Sequence, residues 1–577
     1  MYILGINAAY HESAACLIKD GKVLMAIEEE RLNRVKHGKL STPETTRQLP
    51  WKAIRKCLDF AGITLADVAH IGYSFAPEIL QQGVDAWRAD GAHKQSWELE
   101  KTSYQTLDGG LDFAQGVLAS RQQLMEAEGF TGQFHFLPHH DCHAASAFHV
   151  SPFDKAAVLV IDGIGEWAST SLYYGDGNKL RKEYDFLFPD SLGFVWEKLS
   201  KYLGFSQYDA SKVMGLAAYG DASKTIGLFS KLVIDKAEMK VDMAMLRHES
   251  PDFSTLEALF KLPRKHEPVD LASDNWQAYV DVAAGLQLLT EQVLIQLLQK
   301  FDRKQYRNLC MAGGVALNCA ANGVIVREHM FDDVFIQPAA NDAGTALGAA
   351  FLIWNQILDN PRDYVFTNSY LGPEYSDAEI EAVLQRTRLN YQKVDIAKEV
   401  AKVLANGSIV GWFNGRMEWG PRALGSRSLL ADPRNPDVRE LMNVKVKHRE
   451  LYRPFCPSVI GEKAEEWFAG STAANAGKYM LATSTVRAGK AKLIPAVVHF
   501  DGTVRAQAVY QQDHAEYYRL ISEFEALTGI PLLLNTSFND SEPIVCTPQD
   551  AINTFMKTDI DYLALGNFLI SKAAVAA

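Results

Sequence analysis

The chain has 577 residues, of which 47% are hydrophobic and 10% aromatic, so it can bury the cores of two domains. Its 70 acidic and 58 basic residues give a net charge of -12, which argues against nucleic acid or an anionic membrane as the main partner. No apolar run approaches the roughly 18 residues of a membrane span, and the N-terminus lacks the basic segment of a signal peptide. The seven cysteines are scattered without paired spacing, so we expect a cytoplasmic protein without a disulfide framework.

The first predicted elements are strands at residues 2–6 and 14–18, followed by a hairpin turn at Asp20-Gly21. His11 lies in the small, polar connection between the two strands. Such a connection is suited to border a phosphate or metal site, which His11 would then face. The alternative is that His11 is an ordinary turn histidine. Lys36 is a candidate anion ligand if the fold returns it to the site. Residues 83–110, with mixed charge and two tryptophans, are interpreted as an insertion.

The stretch from His139 to Asp162 has the spacing of metal ligands. His139 and His143 are four residues apart, and the small residues that follow favour a helix, so both imidazoles project from one helical face. Residues 157–161 predict a buried strand that ends at Asp162, which supplies a carboxylate. The alternatives are a surface or capping histidine pair and an Asp-Gly turn.

Two further strand ends carry polar or glycine residues. A strand at residues 308–312 ends in Gly313-Gly314, and Asn318 follows it, an arrangement that suits a nucleotide because glycines let the backbone approach a ligand. A strand at residues 334–337 precedes Asp342, which is either an ordinary helix N-cap or a fourth metal ligand. The repeated pattern of strands and helices predicts a duplicated α/β core around a nucleotide cleft.

Cations collect in the second half of the chain. They alternate with Gly, Pro and Ser, as a phosphate pocket requires, because guanidinium groups pair with oxyanions and glycines expose backbone amides. A basic surface patch is the alternative. A strand from residue 532 runs into hydroxyl and amide side chains, which suit a phosphate contact or an Asx turn. The candidate residues are Arg422, Arg427, Lys447, Arg453, Asn535, Ser537 and Asn539. The composition shifts near residues 358–375, where Asp-Asn-Pro-Arg-Asp and Leu-Gly-Pro-Glu-Tyr-Ser are interpreted as a linker, which places the domains at 1–365 and 366–577.

Together these segments resemble the O-carbamoyltransferases of the NodU/CmcH (tobramycin-type) family, and the resemblance runs through the whole chain. It depends on motifs that occur in one order. They are His11-Glu-Ser-Ala, Glu29-Glu-Arg-Leu-Asn-Arg-Val-Lys-His-Gly, His139-His-Asp-Cys-His-Ala-Ala-Ser-Ala, Asp162-Gly-Ile-Gly-Glu-Trp, Gly313-Gly-Val-Ala-Leu-Asn, Asp342-Ala-Gly-Thr-Ala-Leu-Gly, Gly420-Pro-Arg-Ala-Leu-Gly-Ser-Arg-Ser and Asn535-Thr-Ser-Phe-Asn.

The resemblance implies an N-terminal domain of the actin and sugar-kinase (ASKHA) type and a C-terminal α+β domain of the YrdC type. It implies that the C-terminal domain converts carbamoyl phosphate and ATP, with Mg2+, to carbamoyl-adenylate, and that the N-terminal domain transfers the carbamoyl group to a hydroxyl. By motif, the cation, Fe2+ or another divalent metal, is bound by four residues, His139, His143, Asp162 and Asp342. His11 is the implied base, Lys36 an active-site lysine, and the cationic cluster the carbamoyl phosphate and ATP pocket.

Three points remain open at this level. Lys212 lies in a segment that departs from the family pattern, so its role is not assigned. A threonylcarbamoyl-type tRNA-modifying enzyme shares both domain types, but the acidic composition disfavours it. A non-enzymatic ATP-binding regulator would leave the His-Asp set and the cationic cluster without a purpose. We expect a small-molecule acceptor such as a sugar, polyketide or alkaloid, and no nucleic-acid or membrane partner; the sequence does not indicate the oligomeric state.

Overall fold

The computed structural model describes residues 1–39, 45–89, 107–127, 129–248, 250–387, 389–470 and 475–572. Two compact units divide the chain, one of Met1–Asn33 and His37–Phe366 and one of Arg34–Lys36 and Thr367–Ala577. The division after Phe366 falls beside the predicted boundary, and the short segment Arg34–Lys36 groups with the second unit. Most of the predicted insertion, residues 90–106, lies outside the described part of the chain.

The first unit is built on two five-stranded sheets. Its strands are β1 (Tyr2–Asn7), β2 (Ala14–Lys19), β3 (Lys22–Glu28), β4 (Val68–Tyr73), β5 (Gln133–Phe136), β6 (Lys155–Ile161), β7 (Ala168–Asp176), β8 (Lys179–Leu187), β9 (Val233–Asp235), β10 (Lys240–Val241), β11 (Asn308–Ala312) and β12 (Asp333–Ile336).

The two large sheets repeat one topology. Their orders are β3-β2-β1-β4-β5 and β12-β11-β6-β7-β8. In each, three consecutive strands are antiparallel, and the first of them pairs in parallel with a later strand that pairs in parallel with a fifth. The predicted duplicated α/β core is therefore confirmed. The parallel strands end at the same edge of each sheet, where the predicted ligands follow them.

The helices of the first unit cover these sheets, and two of them join the halves. They are α1 (Glu30–Asn33), α2 (Trp51–Ala61), α3 (Pro77–Ala89), α4 (Leu107–Ala127), α5 (His139–Phe148), α6 (Leu192–Tyr202), α7 (Ala210–Ala217), α8 (Ile226–Phe229), α9 (Met243–Leu246), α10 (Ser254–Phe260), α11 (Trp276–Gln299), α12 (Cys319–Arg327) and α13 (Ala343–Phe351). Helix α13 packs on β1 and β2 of the first sheet, α5 packs on β6 and β11 of the second, and the two helices pack on each other.

Glycines allow this close packing of α5 and α13. A Cβ atom at Gly348 of α13 would lie 1.8 Å from the carbonyl oxygen of Cys142 in α5. A Cβ atom at Gly5 of β1 would lie 1.8 Å from the carbonyl oxygen of Ala346 in α13. Any larger side chain at either position would push the helices or the sheet apart, because real Cβ contacts are never this short.

The second unit contains an eight-stranded mixed sheet of order β13-β23-β22-β14-β15-β21-β16-β20 and a small three-stranded sheet, β17-β18-β19. Helices pack against these strands, which agrees with the predicted α+β domain. The elements are α14 (Asp377–Thr387), β13 (Gln392–Lys393), α15 (Ile396–Ala405), β14 (Val410–Phe413), β15 (Arg427–Ala431), α16 (Val438–Leu441), β16 (Cys456–Ile460), α17 (Ala464–Trp467), β17 (Phe468–Ala469), β18 (Ser484–Val486), β19 (Thr503–Val504), β20 (Gln507–Val509), α18 (Ala515–Thr528), β21 (Leu532–Ser537), α19 (Pro548–Lys557), β22 (Tyr562–Leu565) and β23 (Phe568–Ser571).

The hairpin predicted at Asp20-Gly21 is present in the first sheet. The predicted hairpin joins β2 and β3 through Asp20 and Gly21, whose φ angles of 49° and 74° give a turn that suits the twist of paired strands. All seven cysteines are buried and free of disulfides. In the described ranges, no helix has the length and apolar character needed to cross a membrane.

The packing of α5 on α13 gives a first prediction. Gly348→Ala should lower the free energy of unfolding by at least about 2 kcal/mol, because the new methyl group meets backbone rather than a mobile side chain. Chemical denaturation measures the effect. Gly227→Ala is the matched control, since a Cβ atom there meets nothing within 4 Å. Equal stability of the two variants would contradict the packing described for α5 and α13.

Candidate metal centre and anion site

Four buried side chains of the first unit bring ligand atoms together. One atom each from His139, His143, Asp162 and Asp342 lies within 4.8 Å of all the others. The distances from each histidine Nε2 to the nearer oxygens of Asp162 and Asp342 are 3.5 to 3.7 Å. Two ligands at about 2.1 Å from one ion and at tetrahedral angles are separated by about 3.4 Å, so the spacing fits a shared cation.

Two of the ligands lie on helix α5, and the other two lie beside the end of a strand and the start of a helix. His139 opens α5 after Pro138, and His143 follows one turn later on the same face. Asp162 follows β6, and Asp342 precedes α13. The side chain of Asp342 makes no capping hydrogen bond to its helix, so the alternative of an ordinary N-cap does not describe it.

Hydrogen bonds orient the ligands toward one point. The Nδ1 of His139 donates to the carbonyl oxygen of Ser74 at 3.0 Å, which leaves the lone pair on Nε2 directed at the carboxylates. The backbone amide of Gly314 donates to Oδ1 of Asp162 at 3.0 Å and leaves Oδ2 facing the histidines. Neither Nε2 atom has a hydrogen-bond partner among the described residues, although both are buried. Two orphaned imidazole nitrogens beside two carboxylates are a donor set that fits a divalent cation.

The electrostatics of the cluster agree with this fit. Burial opposes a charge on His139, but Asp342 and Asp162 outweigh burial and raise the pKa of His139 well above its usual value. Burial likewise opposes ionisation of Asp162, yet His139 and His143 hold its pKa well below the usual range. The carboxylates are therefore ionised and strongly attract positive charge, which a proton on His139 or a metal ion can supply.

Glu166 and Tyr10 support the cluster, and the sequence analysis did not identify them. Glu166 is buried and accepts hydrogen bonds from the backbone amides of His139 and Ala76 at 2.9 and 2.7 Å. The hydroxyl of Tyr10 donates to the carbonyl oxygen of Gly165, in the loop after Asp162. In the sequence, the Gly and Glu of the Asp-Gly-Ile-Gly-Glu-Trp motif are the only signal for these two contacts. A carboxylate is costly to bury unless donors such as the amides at a helix start lie beside it.

The other predicted residues of the first unit lie as follows. His11 is half-buried, with its ring edge toward Tyr208 and His37 at centroid distances of 5.5 and 6.1 Å. Gly313, with φ of 93°, allows the close approach to β6 that Gly314 needs to reach Asp162. Asn318 caps α12 through the amide of Ala321. A nucleotide contact for these three residues, Gly313, Gly314 and Asn318, stays a prediction.

Two lysines near the His11 turn differ in their surroundings. Lys36 is exposed, and its predicted active-site role stays a prediction. Lys39 is buried, donates to the carbonyl oxygens of Ala8 and Thr45, and its pKa falls to about 7 because of burial. Lys212 forms a surface ion pair with Asp209 at 3.0 Å.

In the second unit, Lys447, Ser537 and Asn539 are in contact, and their role in a phosphate pocket stays a prediction. The Nζ of Lys447 donates to the carbonyl oxygen of Ser537 and to both the carbonyl oxygen and Oδ1 of Asn539, the latter two at 2.8 and 2.7 Å. Uncharged oxygens thus hold the ammonium group. Burial, and then Arg449 and Arg453, lower the pKa of Lys447 well below its usual value.

Arginines surround this lysine. Burial, followed by the charges of Arg453 and then of Arg505, lowers the pKa of Arg449 to about 9. Arg453 is partly exposed and lies 3.9 Å from Glu450. Mutual repulsion among cations is relieved by an anion, so the cluster is suited to phosphate. Arg422 is half-buried at the start of the nearby Ala-Leu-Gly-Ser segment.

Arg427 and Asn535 have internal partners. The guanidinium of Arg427 is fully buried, donates to the carbonyl oxygens of Gly415 and Ser426 at 3.0 Å each and to that of Pro373 at 3.2 Å, and lies over Phe413. It ties the segments that contain Pro373 and Gly415 to the start of β15. Asn535 donates to Ser458 Oγ at 2.9 Å inside the sheet. Both residues have the contacts of framework groups, so a direct contact with a phosphate stays a prediction for them.

The metal centre gives a second prediction. Asp342→Asn should weaken binding of Co2+ to the purified protein by at least about 100-fold, because a charged ligand is replaced by a poor neutral one. Titration calorimetry or competition with a chelator measures it. Asp281→Asn, which changes another buried carboxylate of the first unit, should bind Co2+ like the wild type, and equal binding by all three proteins would contradict the site.

Comparison with known proteins covers both units. The family described as "Carbamoyltransferase N-terminus" matches residues 2–351, and "Carbamoyltransferase C-terminus" matches residues 401–572. Nodulation protein NolNO of Sinorhizobium fredii is 36% identical and aligns with 98% of this chain and 80% of its own length. Nodulation protein NolO of Bradyrhizobium diazoefficiens is 38% identical over 75% of this chain and 78% of its own. A solved structure, the activator of 2-hydroxyisocaproyl-CoA dehydratase from Clostridium difficile, is 14% identical with a TM-score of 0.32, and covers 62% of this chain and 96% of that one.

Proposed function

The chain belongs to the carbamoyltransferase family, and we propose that it is an ATP-dependent O-carbamoyltransferase acting on a hydroxyl of a small natural product. Membership makes it a carbamoyl-transferring enzyme. The observation that carries the finer proposal is the buried quartet of His139, His143, Asp162 and Asp342, which offers a divalent cation two nitrogens and two oxygens. Fe2+ is the proposed metal, in line with the family resemblance, and another divalent ion is the alternative.

The first step of the proposed reaction takes place at the cationic cluster of the second unit. Water cleaves carbamoyl phosphate to carbamate and phosphate, and an oxygen of carbamate then attacks the α-phosphorus of ATP to give carbamoyl-adenylate and pyrophosphate. Lys447, Arg449 and Arg453 supply positive charge for the phosphate groups, and Mg2+ accompanies ATP. Adenylation converts carbamate, a poor electrophile, into one with a good leaving group.

The second step takes place in the first unit. His139, His143, Asp162 and Asp342 would hold a divalent ion, which would supply Lewis-acid polarisation of the carbamoyl carbonyl and positive charge for the phosphate. His11 takes the proton from the acceptor hydroxyl, which attacks the carbamoyl carbon, and AMP leaves. Imidazole suits this role because its ordinary pKa lies near neutral pH. The Nδ1 of His11 is buried and has no hydrogen-bond partner in the described part of the chain.

The proposed acceptor is a small molecule such as a sugar, a polyketide or an alkaloid. A transfer RNA acceptor is disfavoured by the net charge of -12, because backbone phosphates need a basic surface. The proposal places the enzyme in the cytoplasm, where ATP and carbamoyl phosphate are available, without a nucleic-acid or membrane partner.

The adenylation step gives a third prediction. Purified protein given ATP and carbamoyl phosphate together, without an acceptor, should release phosphate and pyrophosphate, and pyrophosphate release should need both substrates. Coupled spectrophotometric assays of each product measure this. Pyrophosphate release from ATP alone would contradict the proposed order of steps, and tight ATP binding without any release would favour a regulatory protein.

The division of labour gives a fourth prediction. His139→Ala should abolish transfer to an acceptor and leave most pyrophosphate release, whereas Arg453→Ala should reduce pyrophosphate release at least about 100-fold, because it removes a charge that binds phosphate. Arg519→Ala is the matched control, since that arginine pairs with Asp395 on the surface of the same unit. Loss of pyrophosphate release in His139→Ala to the same extent as transfer would contradict two separate sites, because Arg453→Ala alone should stop both steps.

A further inference from the structure

A buried asparagine lies at the edge of the first sheet, between the metal centre and the His11 turn. β1 and β4 are parallel with Ile6 opposite Tyr73, so Asn7, the last residue of β1, lies beside Ser74, the first residue after β4. The Nδ2 of Asn7 donates to the carbonyl oxygens of His11 and Glu12, each at 3.0 Å. Its Oδ1 accepts a hydrogen bond from Ser74 Oγ at 3.1 Å. The amide therefore uses both donors and its acceptor while fully buried.

Ser74 connects this amide to the ligands. Its carbonyl oxygen accepts the hydrogen bond from Nδ1 of His139 that directs Nε2 into the cluster. Its hydroxyl also lies 2.8 Å from the hydroxyl of Thr345 in α13, three residues after Asp342. A continuous chain of buried hydrogen bonds thus runs from the metal ligand His139 through Ser74 and Asn7 to the backbone of the His11 turn.

The series of hydrogen bonds that starts at His139 ends in a constrained turn, the His11 turn. Glu12 and His37 both have left-handed backbone, with φ of 54° and 64°. The amide of Glu12 donates to the carbonyl oxygen of His37 at 2.8 Å, and the His37 ring contacts the Glu12 carboxylate at 2.6 Å. Non-glycine residues hold this conformation only where neighbouring contacts enforce it. On the side of the turn that faces the sheet, the carbonyl oxygens of His11 and Glu12 both accept hydrogen bonds from Asn7.

We infer that Asn7 is a positioning residue that fixes the His11 turn relative to the metal ligand His139. The inference rests on the proposed function for the role of His11 as base. Only an asparagine at this position supplies two donors to the turn and one acceptor to Ser74. Aspartate has the same shape and keeps the acceptor, but its oxygens would face the carbonyl oxygens of His11 and Glu12 and repel them.

The test is the reactivity of the His11 imidazole in Asn7→Asp, measured by diethyl pyrocarbonate modification and peptide mass spectrometry in metal-free full-length protein. Loss of two hydrogen bonds should accelerate modification of His11 about tenfold. Transfer should fall about 10- to 100-fold in kcat, with pyrophosphate release from ATP and carbamoyl phosphate unchanged. Asn355→Asp is the matched control, because that buried amide also donates to two carbonyl oxygens, those of Asn360 and Pro361, outside the site.

A second variant keeps the test decisive if Asn7→Asp does not fold. Ser74→Ala retains the carbonyl acceptor for His139 but loses the hydroxyl that donates to Asn7, so it should also accelerate modification of His11. Modification at the wild-type rate in the folded variants would overturn the inference, whatever their activity. Faster modification together with full transfer activity of His11→Ala would uphold the positioning role and refute the role of His11 as base.

Discussion

The structure of the first unit depends on the attraction between two buried carboxylates and two buried imidazoles. Asp162 and Asp342 are almost fully removed from water, and burial of an ionised carboxylate is costly unless positive charge lies beside it. His139 and His143 are the neighbouring groups, and their unpartnered Nε2 atoms are suited to a cation. The ligands come from helix α5, the end of β6 and the start of α13, so the duplicated sheets must approach closely. Glycines at the contact of α5 with α13 make that approach possible.

The second unit buries positive rather than negative charge, and few contacts hold it. Lys447 is buried, and neutral oxygens of Ser537 and Asn539 hold its ammonium group. Arg449 and Arg453 add charge that depresses the pKa of this lysine. Such a cluster is tolerated in the folded protein, and binding a phosphate group lowers its electrostatic energy. The charges of one unit thus suit a cation and those of the other an anion, and the proposed reaction uses both.

Much of this could be predicted from the sequence, because strand ends and helix spacing are local properties. Strand patterns and turn residues located β1, β2 and β11, and the His139 to His143 spacing placed two ligands on one face. The meeting of Asp162 with Asp342 depends on sheet pairing over a long separation, and the motif resemblance rather than local pattern indicated it. The contact of His139 with Ser74 is made by the backbone carbonyl of Ser74, which has no sequence signature. Arg427 belongs to a motif rich in cations. Its burial and its hydrogen bonds to backbone carbonyl oxygens are visible only in the structure.

The most direct test of the account is X-ray absorption spectroscopy of the protein loaded with one equivalent of Fe2+ or Co2+. We expect only nitrogen and oxygen atoms around the ion, at about 2.0–2.2 Å, with the multiple scattering that imidazole ligands give. Cys142 lies between the two histidines in the chain and is buried, so a sulfur ligand is a real alternative. Sulfur scattering near about 2.3 Å, or the absence of histidine scattering, would contradict the metal centre proposed here.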